Sequence, residues 1–250
     1  MFNLSKYILE VKKEYLDIGI CKIPYYNSPD YTWMLGVTFL DIFGERLFNI
    51  KEGTEGSYEI NNISLDPTDI VLDVGANIGL FSALACSIGC KVHAIEPLEK
   101  NIRFLKLLKD LNPKFDLTIH QCALTDFDGK ITLYSKGNDM GGGTIFEDIN
   151  QNNIVRAKEA HDSRPIIETL VDAVMLDTLN INVDFIKADI EGAEISMLRG
   201  GKETIKRCRP KLSLCSYHRV TDEENLEKLI LELGDYRVIK GEKKIYGYQL

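Results

Sequence analysis

The stretch Ile70-Val71-Leu72-Asp73-Val74-Gly75 constrains the fold more than any other part of the chain. A short apolar run that stops in a glycine turn reads as a buried strand of a parallel sheet. The pattern then repeats. Residues 78–88 read as a helix, Lys91–Ile95 as a strand, and Glu99–Leu111 as a helix ended by Asn112-Pro113. Leu117–His120 is a third strand, and Lys130–Tyr134 a further one reached without a long helix. Residues 185–189 follow as a strand, 194–206 as a helix, 211–216 as a strand and 222–233 as a helix. The tail, 236–248, reads as one or two strands. Strands alternating with helices predict an α/β fold with a mainly parallel sheet. Ligands in such sheets bind outside the carboxyl ends of the strands, near the topological switch point.

Upstream the pattern is different. Leu4, Ile8, Leu9, Val11, Tyr15 and Leu16 are spaced as on one face of a helix over residues 1–20. Pro24, Asn27, Ser28 and Pro29 mark a loop. Residues 31–60, with Trp33 and several other aromatics, read as a cap or extra strands. The expected organisation is thus an N-terminal helix and cap over 1–62 and a main domain over 63–250. The first residues, interrupted by Lys6, Glu10, Lys12 and Lys13, read as an amphipathic helix rather than a signal peptide. No run approaches the ~18–20 apolar residues that span a bilayer. The expected location is cytoplasmic.

Charge and cysteines remove other classes. A net charge of −8 over 250 residues argues against a broad electrostatic hold on nucleic acid. The six cysteines form no CxxC pair, and His93, His120, His161 and His218 do not cluster with them. They read as reduced, buried thiols.

The loop Asp73-Val74-Gly75-Ala76-Asn77-Ile78-Gly79 carries the first chemistry. Gly75 permits a sharp turn, and Gly79 close packing of the next helix. Asp73 can accept hydrogen bonds and attract a sulfonium or ammonium. The loop is not a dinucleotide fingerprint, because position 77 is Asn and position 80 is Leu. Glu96, at the end of the next strand, suits a ribose diol, whose hydroxyls donate to a carboxylate.

VLDVGANIGLFS, HAIEP and the later KADIEGAE, in that order, resemble the FkbM-type family of class I S-adenosylmethionine-dependent methyltransferases. The likeness covers roughly residues 65–220. It implies a doubly wound, Rossmann-like sheet, with S-adenosylmethionine as donor and S-adenosylhomocysteine as product. Asp73, Gly75, Ala76, Asn77, Gly79 and Phe81 would then lie along the methionine part. Glu96 and Pro97 would bind the ribose, and Cys122 and Ala123 the adenine, with Asp126 nearby. Asp189 would also touch the cofactor. The family is associated with O-methylation in macrolide tailoring and in bacterial surface polysaccharide pathways. The Lys, Ile and Asn richness favours a sugar or sugar derivative of a surface polysaccharide. Methylation of a small anionic phosphorylated metabolite, or a non-catalytic cofactor-binding role, stays open.

Asp189, Glu191 and Glu194 fall where a strand gives way to a helix. Asp189 can cap that helix, or Asp189 and Glu191 can face the methyl acceptor as catalytic groups. Lys187 shares a strand face with Asp189, so it can pair with a carboxylate or hold an anionic acceptor. His218, with an ordinary pKa near ~6.5, is the candidate base for a hydroxyl acceptor. Tyr217 and Arg219 flank it as acceptor contacts. His93 reads as structural, and His120 as a neighbour of adenine. Asp189, Glu191 and His218 could ligate a divalent ion, but no motif demands one. Asn138 and Thr144, around a run of three glycines, are expected to bond the acceptor. Residues 147–165, with Arg156, Lys158 and Arg164, read as a lid or insertion. The sequence sets no oligomeric state.

Overall fold

The computed structural model describes residues 10–12, 14–25, 39, 42–43, 56–136, 143–145, 165–219 and 221–249. Asn138, Arg156, Lys158, His161 and Arg164, and with them most of the expected acceptor loop and lid, lie outside these residues.

The main sheet is built from β4 (Ile70–Val74), β5 (Lys91–Ile95), β6 (Leu117–His120), β10 (Phe185–Ala188), β11 (Lys211–Cys215), β12 (Arg237–Lys240) and β13 (Lys244–Tyr248). Its order is β12-β13-β11-β10-β4-β5-β6. The pairings among β11, β10, β4, β5 and β6 are parallel, whereas β13 runs antiparallel to both its neighbours. From β4 the chain moves outward to β5 and β6, then returns to the other side of β4 at β10. The carboxyl end of β4 is therefore the point where the strand order reverses, the place such sheets bind ligands.

Burial explains why the central strands read as continuous apolar runs. All four residues of β10 and four of the five in β4 and in β11 are buried. Val71, Val92 and Ala94 pack in one core with α1 (Leu80–Ile88) and α2 (Glu99–Leu111). Leu72, Val74 and Ile186 point the other way, into a second core. That core holds residues of α4 (Glu194–Gly200), α5 (Lys202–Cys208) and α6 (Asp222–Glu232). Both faces of the sheet are thus covered.

The helix expected over 194–206 is two helices. The break falls at Gly200-Gly201, where α4 crosses the chain at Thr125 so closely that a Cβ on Gly200 would lie 1.9 Å from the Thr125 carbonyl oxygen. A small second sheet, β7 (Ala123–Leu124), β9 (Ile166–Val174) and β8 (Gly129–Lys136), stands beside the main one. The short α3 (Leu176–Leu179) leads from it to β10.

The expected N-terminal helix is corrected over its described part. An antiparallel meander runs through β1 (Glu10–Val11), β2 (Tyr15–Asp17) and β3 (Lys22–Pro24). Asp17 turns the chain by accepting a hydrogen bond from the Gly19 N–H at 2.9 Å, a local bond that competes with helix. Leu16, Ile18, Cys21 and Ile23 then enter the same core as Leu105 and Leu108 of α2. The helix-ending Asn112 fastens the meander. Its amide oxygen accepts from the Lys22 N–H at 2.9 Å, and its amide nitrogen donates to the Lys22 carbonyl at 2.7 Å. Asn112→Ala should therefore lower unfolding free energy by about 1–3 kcal/mol, read from urea denaturation, with the main sheet retained.

Candidate active site

The turn after β4 folds back on the next strand. The Gly75 and Ala76 N–H groups both donate to the Ile95 carbonyl at 3.0 Å. Gly75 has φ 72°, and a Cβ there would lie 2.0 Å from the Asp189 carbonyl oxygen. Two requirements, a left-handed backbone and contact with the chain beyond β10, thus fall on one residue. Asn77 is also left-handed, at φ 53°. Its N–H donates to Glu96 Oε2 at 2.9 Å, while the Leu98 N–H donates to Oε1 at 2.9 Å. Burial pushes the Glu96 carboxyl up, against those two N–H groups and Asn101, which favour the ionised form.

A cavity of about 220 Å³ opens over this loop. Gly75, Ala76, Asn77, Phe81, Glu96, Pro97, Cys122 and Ala123 line it, eight of the residues expected around the cofactor. Two expected residues lie behind the wall instead. Asp73 is fully buried, with Oδ2 accepting from the Ser82 hydroxyl at 2.6 Å and Oδ1 3.1 Å from Lys187 Nζ. Gly79 packs against Leu105 and Leu108 of α2. Both support the loop without facing the cavity. Asp126 is likewise turned away, accepting from Ser196 Oγ at 2.8 Å, and His120 bonds His93 ring to ring at 3.0 Å, not at the cavity.

Lys187 lines the cavity, but its ammonium serves the loop. Besides Asp73 it donates to the Gly75 carbonyl at 2.8 Å and the Val74 carbonyl at 3.3 Å. Burial would lower its pKa, yet Asp73 and Asp189 outweigh that and raise it. Of the two roles open to it, pairing with a carboxylate is the one it fills.

Asp189 and Glu191 both reach the cavity, with side chains 24% and 25% exposed. Asp189 does not cap α4. The N-cap is Ala193, with no side-chain cap bond, and Glu194 Oε1 instead ties the preceding turn by accepting from the Ile190 N–H at 2.9 Å. The intervening turn carries left-handed Glu191 and Gly192, and Thr144 Oγ1 donates to the Glu191 carbonyl at 2.9 Å. Thr144 therefore shapes the turn rather than lining the cavity. Arg219 does not line it either, and its N–H donates to Asp222 at the start of α6. Tyr217 does line it.

His218 sits one layer deeper, its side chain 4% exposed, among three carboxylates. Nε2 is 3.5 Å from Asp189 Oδ1 and 3.7 Å from Glu194 Oε1, and Nδ1 is 3.4 Å from Glu191 Oε2. Burial alone would lower its pKa, but Asp189, Glu194 and Glu191 raise it to about 9. The three carboxylates thus favour the protonated ring over a free base near its ordinary pKa. Metal-free His218 is a buried imidazolium at neutral pH. Burial opposes ionisation of Asp189, yet His218, Lys187 and Tyr58 hold it well below the usual carboxylate range. Burial pushes Glu194 up to about 7.

Tyr58 has no counterpart in the expectations from sequence. Its hydroxyl donates to Asp189 Oδ2 at 2.8 Å, and its ring lines the cavity edge-on to Phe81. The buried Lys244 ammonium lies 4.2 Å from the centre of that ring. No local pattern marks Tyr58, because Asp189 and Lys244, its polar partners, lie more than a hundred residues away.

Comparison with known proteins gives a consistent picture. The sequence profile described as the methyltransferase FkbM domain matches residues 73–249. The 31-O-demethyl-FK506 methyltransferase FkbM of Streptomyces tacrolimicus is 34% identical over 104 residues, 40% of this chain and 40% of that protein. The crystal structure of methyltransferase FkbM from Methylobacillus flagellatus KT aligns with a TM-score of 0.54 at 23% identity. It covers 74% of this chain and 45% of that one, a likeness of fold. The chain thus spans less than half the length of either relative.

Two outcomes follow from this geometry. Gly75→Ala should cost at least about 2 kcal/mol in urea denaturation, because it combines a left-handed backbone with a clash against Asp189. The His218 cage adds a pH dependence. A histidine whose pKa is raised on folding stabilises fully below its unfolded value of ~6.5, and that stability is lost as pH rises through about 9. In metal-free buffer, stability should fall by a few kcal/mol between about pH 7 and pH 9.5. Glu194, raised to about 7, adds its decline at lower pH. Denaturation curves of His218→Gln should lack the alkaline decline.

Proposed function

The chain belongs to the methyltransferase FkbM domain family, and from that premise we propose that it methylates a hydroxyl of a sugar or sugar derivative, using S-adenosylmethionine and releasing S-adenosylhomocysteine. The observation that carries this reading is the pair Asp189 and Glu191, two carboxylates that reach the same cavity as Glu96.

The residues present fit the donor. Glu96 keeps lone pairs for a ribose diol beyond the two backbone N–H groups it accepts. Ile95, Leu98, Cys122 and Ala123 offer an apolar wall for adenine. When bound, S-adenosylmethionine supplies an electrophilic methyl carbon on a cationic sulfonium, and the Asp189 and Glu191 carboxylates favour positive charge in the cavity.

The same carboxylates suit a neutral polyol. Each can accept a hydrogen bond from an acceptor hydroxyl and so orient its oxygen for attack on the methyl carbon. Tyr58 and His218 hold Asp189 from the other side, so its orientation is set before an acceptor arrives. His218 is then a positioning residue. Tyr58 and Tyr217 present aromatic surface to a sugar ring. A phosphorylated acceptor suits the described residues less well, because Lys187, the cation among the lining residues, is engaged by Asp73 and the loop carbonyls.

Family association and composition point to a sugar of a bacterial surface polysaccharide. The cytoplasm suits that role, since sugar nucleotides are made there and the six cysteines are free. Among the described residues no helix is long and apolar enough to cross a membrane.

The test is S-adenosylhomocysteine release against sugar nucleotides, glycans and phosphorylated metabolites. Turnover is expected with a sugar acceptor, and kcat should fall about 100-fold or more in Asp189→Asn. Glu96→Ala should weaken S-adenosylmethionine binding at least tenfold by calorimetry. Unchanged binding would remove the cofactor assignment, and turnover confined to phosphorylated metabolites would replace the sugar reading.

A further inference from the structure

Behind the cavity wall, three donor side chains from separate parts of the chain converge, with a fourth, Glu194, beside the histidine. Asp189 follows β10, Glu194 opens α4, Cys215 ends β11, and His218 lies in the loop beyond. The donor atoms of Asp189, Cys215 and His218 all lie within 4.8 Å of one another. His218 Nε2 is 3.5 Å from Asp189 Oδ1 and 3.7 Å from Glu194 Oε1.

One feature separates this group from an ordinary acidic cluster. Nε2 is buried and, although ion-paired at 3.5 and 3.7 Å with the two carboxylates that face it, makes no hydrogen bond among the described residues. A buried polar atom left in that state is costly. Nδ1, the other ring nitrogen, points to Glu191 Oε2 at 3.4 Å. Metal-bound histidines have this arrangement, one nitrogen on the ion and the other N–H given to a carboxylate. Asp189 is divided the same way. Tyr58 bonds Oδ2 at 2.8 Å, and Oδ1 faces the histidine.

We propose that His218 Nε2, Asp189 Oδ1 and Cys215 Sγ, with Glu194 as fourth donor, form a seat for one divalent transition ion of the zinc type. Nitrogen, oxygen and sulfur donors together select zinc or cobalt over magnesium or calcium. Bonds of about 2.0–2.3 Å place tetrahedral ligands about 3.3–3.6 Å apart, close to the His218–Asp189 and His218–Glu194 separations. The thiol needs the largest approach. On binding, Cys215 Sγ–H and the His218 Nε2–H each lose a proton to solvent, and the thiolate and the neutral ring nitrogen take the ion, which occupies the position between Nε2 and the carboxylates. Asp189 is the ligand that also lines the cavity, so the ion fixes the carboxylate the acceptor meets. The seat rests on side-chain geometry alone and does not depend on what the cavity transfers.

The test uses the full chain, stripped with EDTA and titrated with cobalt(II). One equivalent should bind, with visible bands of a tetrahedral site and a thiolate-to-cobalt charge-transfer band in the near ultraviolet. Zinc should displace it. Cys215→Ser should lose the charge-transfer band, and His218→Gln should bind at least tenfold more weakly. Glu191→Gln should weaken binding about tenfold or more through the histidine alone. Circular dichroism and cooperative unfolding verify that each variant folds. A wild-type protein that takes up no stoichiometric cobalt or zinc would overturn the proposal. So would uptake that survives both Cys215→Ser and His218→Gln unchanged, since the ion would then be on the surface.

Discussion

The ion pair between Lys187 and Asp73 is the interaction on which the site depends. The two residues are register partners on adjacent parallel strands, and both are buried. Their charges are compensated locally, by Ser82 on the carboxylate and by two loop carbonyls on the ammonium. Removing one partner would leave an uncompensated buried charge, a loss of roughly 3–5 kcal/mol. The ammonium also draws the Val74 and Gly75 carbonyls inward, which sets the path of the turn. That path brings Gly75 against Asp189, so the glycine loop and the acidic turn are positioned by one contact.

The arrangement of charge follows from this pair. Lys187 and His218 are buried and directed into the scaffold, whereas Asp189 and Glu191 reach the cavity. The charge presented to the cavity by this turn is therefore negative. Lys244 and Tyr58 extend the same layout. Lys244 lies under the aromatic face while donating to the Gly56 carbonyl at 2.9 Å, and Tyr58 bonds Asp189 from above. The antiparallel β13 thus supports a side chain from the region before β4, outside the family's matched residues.

Where sequence and structure differ, the reason is identifiable. Apolar residues over 1–20 fit a helical spacing, but Leu16 and Ile18 also fit the alternation of a strand, and the Asp17–Gly19 turn decides between them. β9 (Ile166–Val174) has no counterpart among the expected elements, although its nine residues are rich in β-branched side chains. The break between α4 and α5 had a visible sign in Gly200-Gly201, although its cause, the crossing at Thr125, is not local. Helix α2, ended by Asn112, falls on its expected residues because amphipathic spacing and a terminator agreed there.

Local sequence determined the alternating elements and the glycine turn after β4. These depend on short-range rules, namely apolar period, turn chemistry and the left-handed backbone that Gly75 tolerates. Tertiary structure alone decided which way the charges point. Asp73 was placed behind the loop, His218 was surrounded by three carboxylates, and Tyr58 was brought to Asp189. A side chain's protonation and partners depend on what other parts of the chain deliver to it, and burial magnifies each such contact by removing the water that would screen it.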